Sequence, residues 1–110
     1  MKFLTIIITT CVFALVSCNQ DTAYKKATFK VWGNCEMCKE TIEGSLNVEG
    51  VAKAEWSTES KMIVVNYDST KINLDQIQKN IEIVGYDNEK YKVDEKAYSN
   101  LPECCQYDRK

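Results

Sequence analysis

Six cysteines and no histidine stand in a chain of 110 residues. Four of the thiols form two close pairs, Cys35 with Cys38 and Cys104 with Cys105, while Cys11 and Cys18 lie near the N-terminus. Thiolate is both a metal ligand and a nucleophile, so paired thiols point to metal binding or to thiol exchange. Cys35 and Cys38 enclose Glu36 and Met37. Two thiolates at that separation on a turn can converge on a soft ion such as Cu(I), which accepts few sulfur ligands, whereas Zn(II) ordinarily takes four. The missing histidine excludes Ser-His-Asp and Cys-His nucleophile systems, imidazole acid–base chemistry and every His-containing zinc site. A net charge of −2 and a pI near 5.2 give no basic surplus to neutralise phosphates, so no nucleic-acid partner is expected.

Apolar periodicity shows what must position the first pair. Ala27, Phe29 and Val31 alternate with Thr28, Lys30 and Trp32, the two-residue period of a half-buried strand, and Gly33-Asn34 breaks it. Cys38, Ile42 and Leu46 then recur every four residues, which predicts an amphipathic helix over Cys38 to Leu46. The pair therefore sits at a strand-to-helix junction, where unpaired N–H groups, the helix dipole and the neighbouring Lys39 favour thiolate over thiol.

Further along, Val51 to Ser57 places Ala52, Ala54 and Trp56 on one face. A turn over Ser57 to Ser60 leads to a strand over Met62 to Tyr67 with Ile63, Val65 and Tyr67 on one side. Asn73 and Gln76 form a capping box ahead of Leu74, Ile77, Ile81 and Val84, whose helical spacing ends at Gly85. A last strand over Tyr86 to Val93 completes the order β-α-β-β-α-β. The fold class is α+β: a ferredoxin-like sandwich with a four-stranded antiparallel sheet. Glu40, Glu43, Lys79, Glu82 and the run Asp87 to Lys96 read as solvated surface.

The N-terminus has a different character. After Lys2, Phe3 to Val16 is uncharged and apolar but for Thr5, Thr9, Thr10 and Cys11, too short to span a bilayer (~20 residues) and matching a secretory signal peptide. Leu15-Val16-Ser17-Cys18 resembles the lipobox of bacterial lipoproteins, which implies cleavage before Cys18 and acylation of that cysteine. More than one acyl chain makes stable attachment to a membrane. The expected organisation is a signal peptide over 1–17, a lipid-anchored tether over 18–26, a metal-binding domain over 27–93 and a cysteine-containing tail over 94–110. The expected location is the cell envelope, facing the periplasm.

Taken together, Cys35-Glu36-Met37-Cys38, Ile42-Glu43, Leu46, Gly50-Val51, Tyr67-Asp68 and Gly85-Tyr86-Asp87 resemble the heavy-metal-associated domain family, which includes copper chaperones and periplasmic mercury-binding proteins. The resemblance runs from about Ala27 to Val93. It implies a soft metal held by Cys35 and Cys38, with Tyr86 beside the metal loop, and no catalysis. It also implies transfer by ligand exchange to a partner, expected to be a metal transporter or metallochaperone of the envelope; the protein itself is expected to be a monomer. Cu(I) is the favoured ion, with Hg(II), Zn(II) and Cd(II) as alternatives. This chain departs from the family at Gly33, where a methionine usually anchors the loop, and at Trp32, where a glycine usually stands.

Cys104-Cys105 lies outside that resemblance. From the far end of the last strand, ~23 Å from the loop, residues 94 to 104 span at most ~36 Å, enough for a return along the domain surface. Three uses of the tail pair stay open. It completes a four-thiolate site or Cu(I) cluster with Cys35 and Cys38; it binds or transfers metal separately; or it has no metal role. Met37 reads as a partly exposed or packed thioether in preference to a ligand. Two other functions compete with metal carriage: a thiol-disulfide oxidoreductase using Cys35 and Cys38, and a metal-free adaptor of an envelope transporter.

Overall fold

The computed structural model describes residues 24–110. The expected signal peptide, Cys18 and residues 19–23 lie outside the described residues. Seven elements follow in order: β1 Tyr24–Lys30, α1 Glu36–Gly44, β2 Val51–Trp56, β3 Met62–Asp68, α2 Leu74–Ile83, α3 Glu95–Ser99 and a 3-10 turn Glu103–Cys105. β1 begins three residues before its alternation becomes legible, because Tyr24, Lys25 and Lys26 of the expected tether pair with Asp68, Tyr67 and Asn66.

β3 is the central strand, flanked by β1 and β2 in antiparallel pairing. Its β-branched and aromatic residues Ile63, Val65 and Tyr67 face a core shared with Phe29, Trp56, Ile42, Leu46, Ile77 and Ile81. β2 carries a register irregularity between Val51 and Lys53, which leaves Ala52 exposed although simple alternation assigns it to the inner face. α2 opens on the expected capping box: Asn73 Oδ1 accepts from Gln76 N at 2.8 Å and Gln76 Oε1 accepts from Asn73 N at 3.1 Å. Leu74, in the first turn, stays exposed, and the buried stripe is Ile77 and Ile81 with Gln78.

The expected fourth strand over Tyr86 to Val93 does not form: the sheet of the described residues has three strands. The segment meets the end of β1 through the bridge between Val31 and Asn88, the bond from Trp32 N to Asp87 O at 2.9 Å, and Lys30 N donating to Glu89 Oε1 at 3.1 Å. Local side-chain acceptors take the backbone donors a longer ladder needs. Asn88 Oδ1 accepts from Lys90 N and Tyr91 N, each at 3.2 Å, and Asp87 Oδ1 accepts from Val93 N at 2.7 Å. Asp87, Asn88 and Val93 are buried, so the run Asp87 to Lys96 is not simply solvated surface.

Residues 94–110 are packed against the domain. Asp94 Oδ1 caps α3 by accepting from Ala97 N at 2.7 Å. Tyr107 is buried, its hydroxyl donating to Gly85 O at 2.9 Å and accepting from Asp87 N at 2.8 Å. Its ring stacks on Tyr86, with centroids 5.4 Å apart, and meets Tyr98 edge-on at 5.1 Å. Arg109 completes the seam with bonds to both carboxylate oxygens of Asp87, at 3.0 and 2.9 Å. Gly85 admits the tail: its φ is +102°, and a Cβ there would stand 2.9 Å from Leu101 Cδ2.

Candidate metal site

Cys35 is the N-cap residue of α1, with extended backbone and a side chain that makes no capping bond. Its thiol is therefore free of the role that Ser, Thr or Asp would take there, and it reaches toward the tail instead of the helix. Cys38 follows in the first turn and is fully buried. The third member comes from the tail: Cys105, on the 3-10 turn, brings its Sγ within 4.8 Å of those of Cys35 and Cys38.

Tail and loop are tied together directly. Cys104 O accepts from Asn34 Nδ2 at 3.1 Å and from the Cys35 thiol at 3.6 Å. Cys105 N donates to Pro102 O at 2.8 Å, which tightens the turn that presents the thiol. Cys104 itself is exposed and turns outward, its Sγ 3.8 Å from Cys105 Sγ and 3.5 Å from the Sδ of half-exposed Met37. All four cysteines among the described residues are free thiols. Three of the four expected sulfurs thus converge, and the fourth stands beside them.

The surroundings treat the thiols of this cluster unequally. Burial acts to raise the Cys38 pKa, but backbone hydrogen bonds at Cys35 and Asn34, together with the Tyr86 and Cys105 side chains, outweigh it and hold the thiol below 9.0. Burial, then the proximity of Cys38 and Cys104, pushes Cys105 up to about 12. Burial likewise raises Tyr86, with further upward pressure from Cys38. Of these thiols, Cys38 is the one whose ionisation its surroundings favour, with the Tyr86 and Cys105 side chains among the groups that lower its pKa.

Tyr86 stands where the resemblance implies, beside the thiols and buried. Lys39 does not. Its Nζ donates to Glu43 Oε2 at 2.8 Å and to Trp56 O at 2.7 Å, and Glu43 Oε2 also accepts from Trp56 N at 2.8 Å. Lys39 therefore fastens α1 to β2, and the groups that lower the Cys38 pKa are neutral donors.

Trp56 also accounts for Gly33. A Cβ at Gly33 would come within 2.8 Å of the Trp56 ring and 3.1 Å of Ile42 Cδ1, so the indole occupies the room that a side chain at this position would need. Trp56 Nε1 is satisfied by Val31 O at 3.0 Å and Lys61 O at 3.2 Å. The loop is anchored from β2 in place of its own methionine. Sequence reasoning missed this substitution, and it missed Tyr107 and Arg109; the aromatic residues Tyr98 and Tyr107 flanking Cys104-Cys105 are the signal that could have marked the tail as packed.

Comparison with known proteins agrees with this geometry. A model of the heavy-metal-associated domain matches residues 28–87. The copper chaperone CopZ of Staphylococcus aureus (strain MRSA252) is 38% identical over 55 residues, covering 49% of this chain and 81% of the relative. Among solved structures, a CopZ metallochaperone superposes with a TM-score of 0.56 at 33% identity, over 58% of this chain and 98% of its own. Oxidised MerP from Ralstonia metallidurans CH34 gives 0.58 at 29% identity, over 61% and 96%. Cys104 and Cys105 lie beyond the matched family region. The chain belongs to the heavy-metal-associated domain family, a non-catalytic family with a ferredoxin-like fold, and adds to it a packed tail that brings a third cysteine to the metal loop.

Proposed function

We propose that this protein binds Cu(I) through Cys35, Cys38 and Cys105 and passes it on by thiolate exchange in the cell envelope, from a lipid anchor at Cys18. The observation that carries the binding reading is the convergence of three Sγ atoms within 4.8 Å. At a metal–thiolate distance of about 2.3 Å, two sulfurs lie about 4.6 Å apart across a linear ion and about 4.0 Å apart around a trigonal one, so small side-chain shifts close the site. Cu(I) suits two or three thiolates, which the inner trio supplies without exposed Cys104, whereas the four-ligand demand of Zn(II) or Cd(II) would need Cys104 drawn in as well.

In transfer, an incoming thiolate of the partner bonds to Cu(I) as one of the three leaves. The ion stays Cu(I) throughout, and the departing sulfur takes a proton from solvent. The solved relatives include a domain of a potential copper-translocating P-type ATPase from Bacillus subtilis in its Cu(I)-loaded state, which supports a soluble domain of a metal transporter as the partner class. The anchor rests on the apolar segment Phe3 to Val16 and on Leu15-Val16-Ser17-Cys18. Membrane fractionation checks it: the native chain sediments with membranes, and a soluble native chain overturns this part of the reading.

Competition of the reduced protein with a Cu(I) chelator tests the site. Tight binding by the native chain and its loss in the Cys35→Ser, Cys38→Ser double variant are expected; retained tight binding in the double variant contradicts the assignment. Parallel competition with Hg(II) and Zn(II) ranks the ions.

A further inference from the structure

The sulfurs do not end at the trio. Cys105 Sγ is 3.8 Å from Cys104 Sγ, and Cys104 Sγ is 3.5 Å from Met37 Sδ, so a continuous path of five sulfur atoms runs from buried Cys38 to half-exposed Met37. The 3.8 Å separation is close to the ~4.0 Å that two sulfurs adopt around one trigonal ion, and the 3.5 Å one reaches it with a side-chain shift of ~0.5 Å. Met37 and Cys104 come from opposite sides of the loop and tail, and the bonds from Asn34 and Cys35 to Cys104 O hold them in register. A thioether next to a thiolate is a soft donor pair that selects Cu(I) over harder or tetrahedral ions.

We propose that Cys104 and Met37 hold a second Cu(I), with the Cys105 thiolate bridging it to the first. This rests on the three-thiolate reading of the inner site. The inner ion has Cys35, Cys38 and Cys105 as ligands; the outer ion has Cys105, Cys104 and Met37. Each thiol that becomes a ligand gives its proton to solvent, the thioether gives none, and no electron is transferred. Four thiolates and two Cu(I) ions leave the cluster with a charge of −2, which the surrounding N–H groups of the α1 N-terminus help to hold. The outer ion is the accessible one and the first to meet an incoming partner thiolate.

The reduced full chain is titrated anaerobically with Cu(I) held in a chelator buffer, and bound ions are counted by native mass spectrometry. The native chain is expected to take two ions, Cys104→Ser to stop at one, and Met37→Leu to bind the second at least tenfold more weakly. In the native chain, the Met37 methyl resonance is expected to shift with the second equivalent and not with the first, a readout that needs no variant. A native count of one, two ions retained by Cys104→Ser at the same free Cu(I), or a Met37 methyl that ignores the second equivalent each overturns the outer site while leaving the inner one standing. A native count of zero overturns both.

Discussion

Replacing the Cys105 thiol by a hydroxyl, as in Cys105→Ser, removes one soft ligand from the trio while leaving in place the backbone bond that builds its turn. Cu(I) affinity is expected to fall at least tenfold, about 1.4 kcal/mol, read by chelator competition. An unchanged affinity would show that Cys105 is a bystander. Cys35 and Cys38 were legible from the sequence because their spacing and their place at a strand-to-helix junction are local properties. Cys105 was legible only as a candidate, since its convergence depends on Gly85 admitting Leu101 and on Tyr107 stacking against Tyr86, contacts made far apart in the chain. Lys39 shows the opposite limit: proximity in sequence suggested a thiolate partner, but a half-buried carboxylate at Glu43 four residues on takes its ammonium.

At the scale of elements, the metal loop depends on what fills the space beneath Gly33. Trp56 of β2 does so, and a methionine introduced by Gly33→Met would collide with the indole ring at once. Overpacking of this kind costs about 1–3 kcal/mol. Chemical denaturation is expected to show that loss in Gly33→Met alone, and a double-mutant cycle with Trp56→Leu is expected to recover part of it, because the smaller side chain vacates the cavity. Additive costs in the cycle would show that the two positions do not share that space. The two longer helices and the first three strands lie close to where their periodicity places them, Ala52 at the β2 irregularity being an exception, because each is fixed by a burial stripe and, in α2, by a capping box. The fourth strand failed because Asp87 and Asn88 offer side-chain acceptors to nearby N–H groups, and a two-residue apolar alternation does not report that competition.

For the molecule as a whole, the tail converts a small domain into one whose metal loop is closed from outside. Its hold centres on Asp87, whose carboxylate is buried and bonded by Arg109, Val93 N and Lys110 N. Removing one partner of such a pair leaves an uncompensated charge, so Arg109→Ala is expected to destabilise tail docking by about 3 kcal/mol. Exchange protection of residues 94–105 reports it; undiminished protection would place the hold elsewhere. Burial opposes ionisation of Asp87, yet the bonds from Arg109, Val93 and Lys110 win and keep its pKa below 3.8. With the folded value lowered, the stabilisation is complete above 3.8 and is lost as the pH falls through the depressed folded value. The ring resonances of Tyr107, shifted by stacking on Tyr86, are expected to move toward free-tyrosine positions in that acid range in the native chain. In Asp87→Asn this carboxyl can no longer titrate, and the acid step is expected to be absent. The tail's docking was the least legible feature in the sequence, because a buried Asp–Arg pair separated by 22 residues looks like surface charge until the fold brings its members together.

The central claim is that one Cu(I) is held by sulfur from both the loop and the tail. X-ray absorption at the copper edge, on the reduced chain loaded with one equivalent, counts those sulfurs. Three sulfur neighbours in the native chain and two in Cys105→Ser are predicted; two in the native chain, or three retained in the variant, would contradict the account.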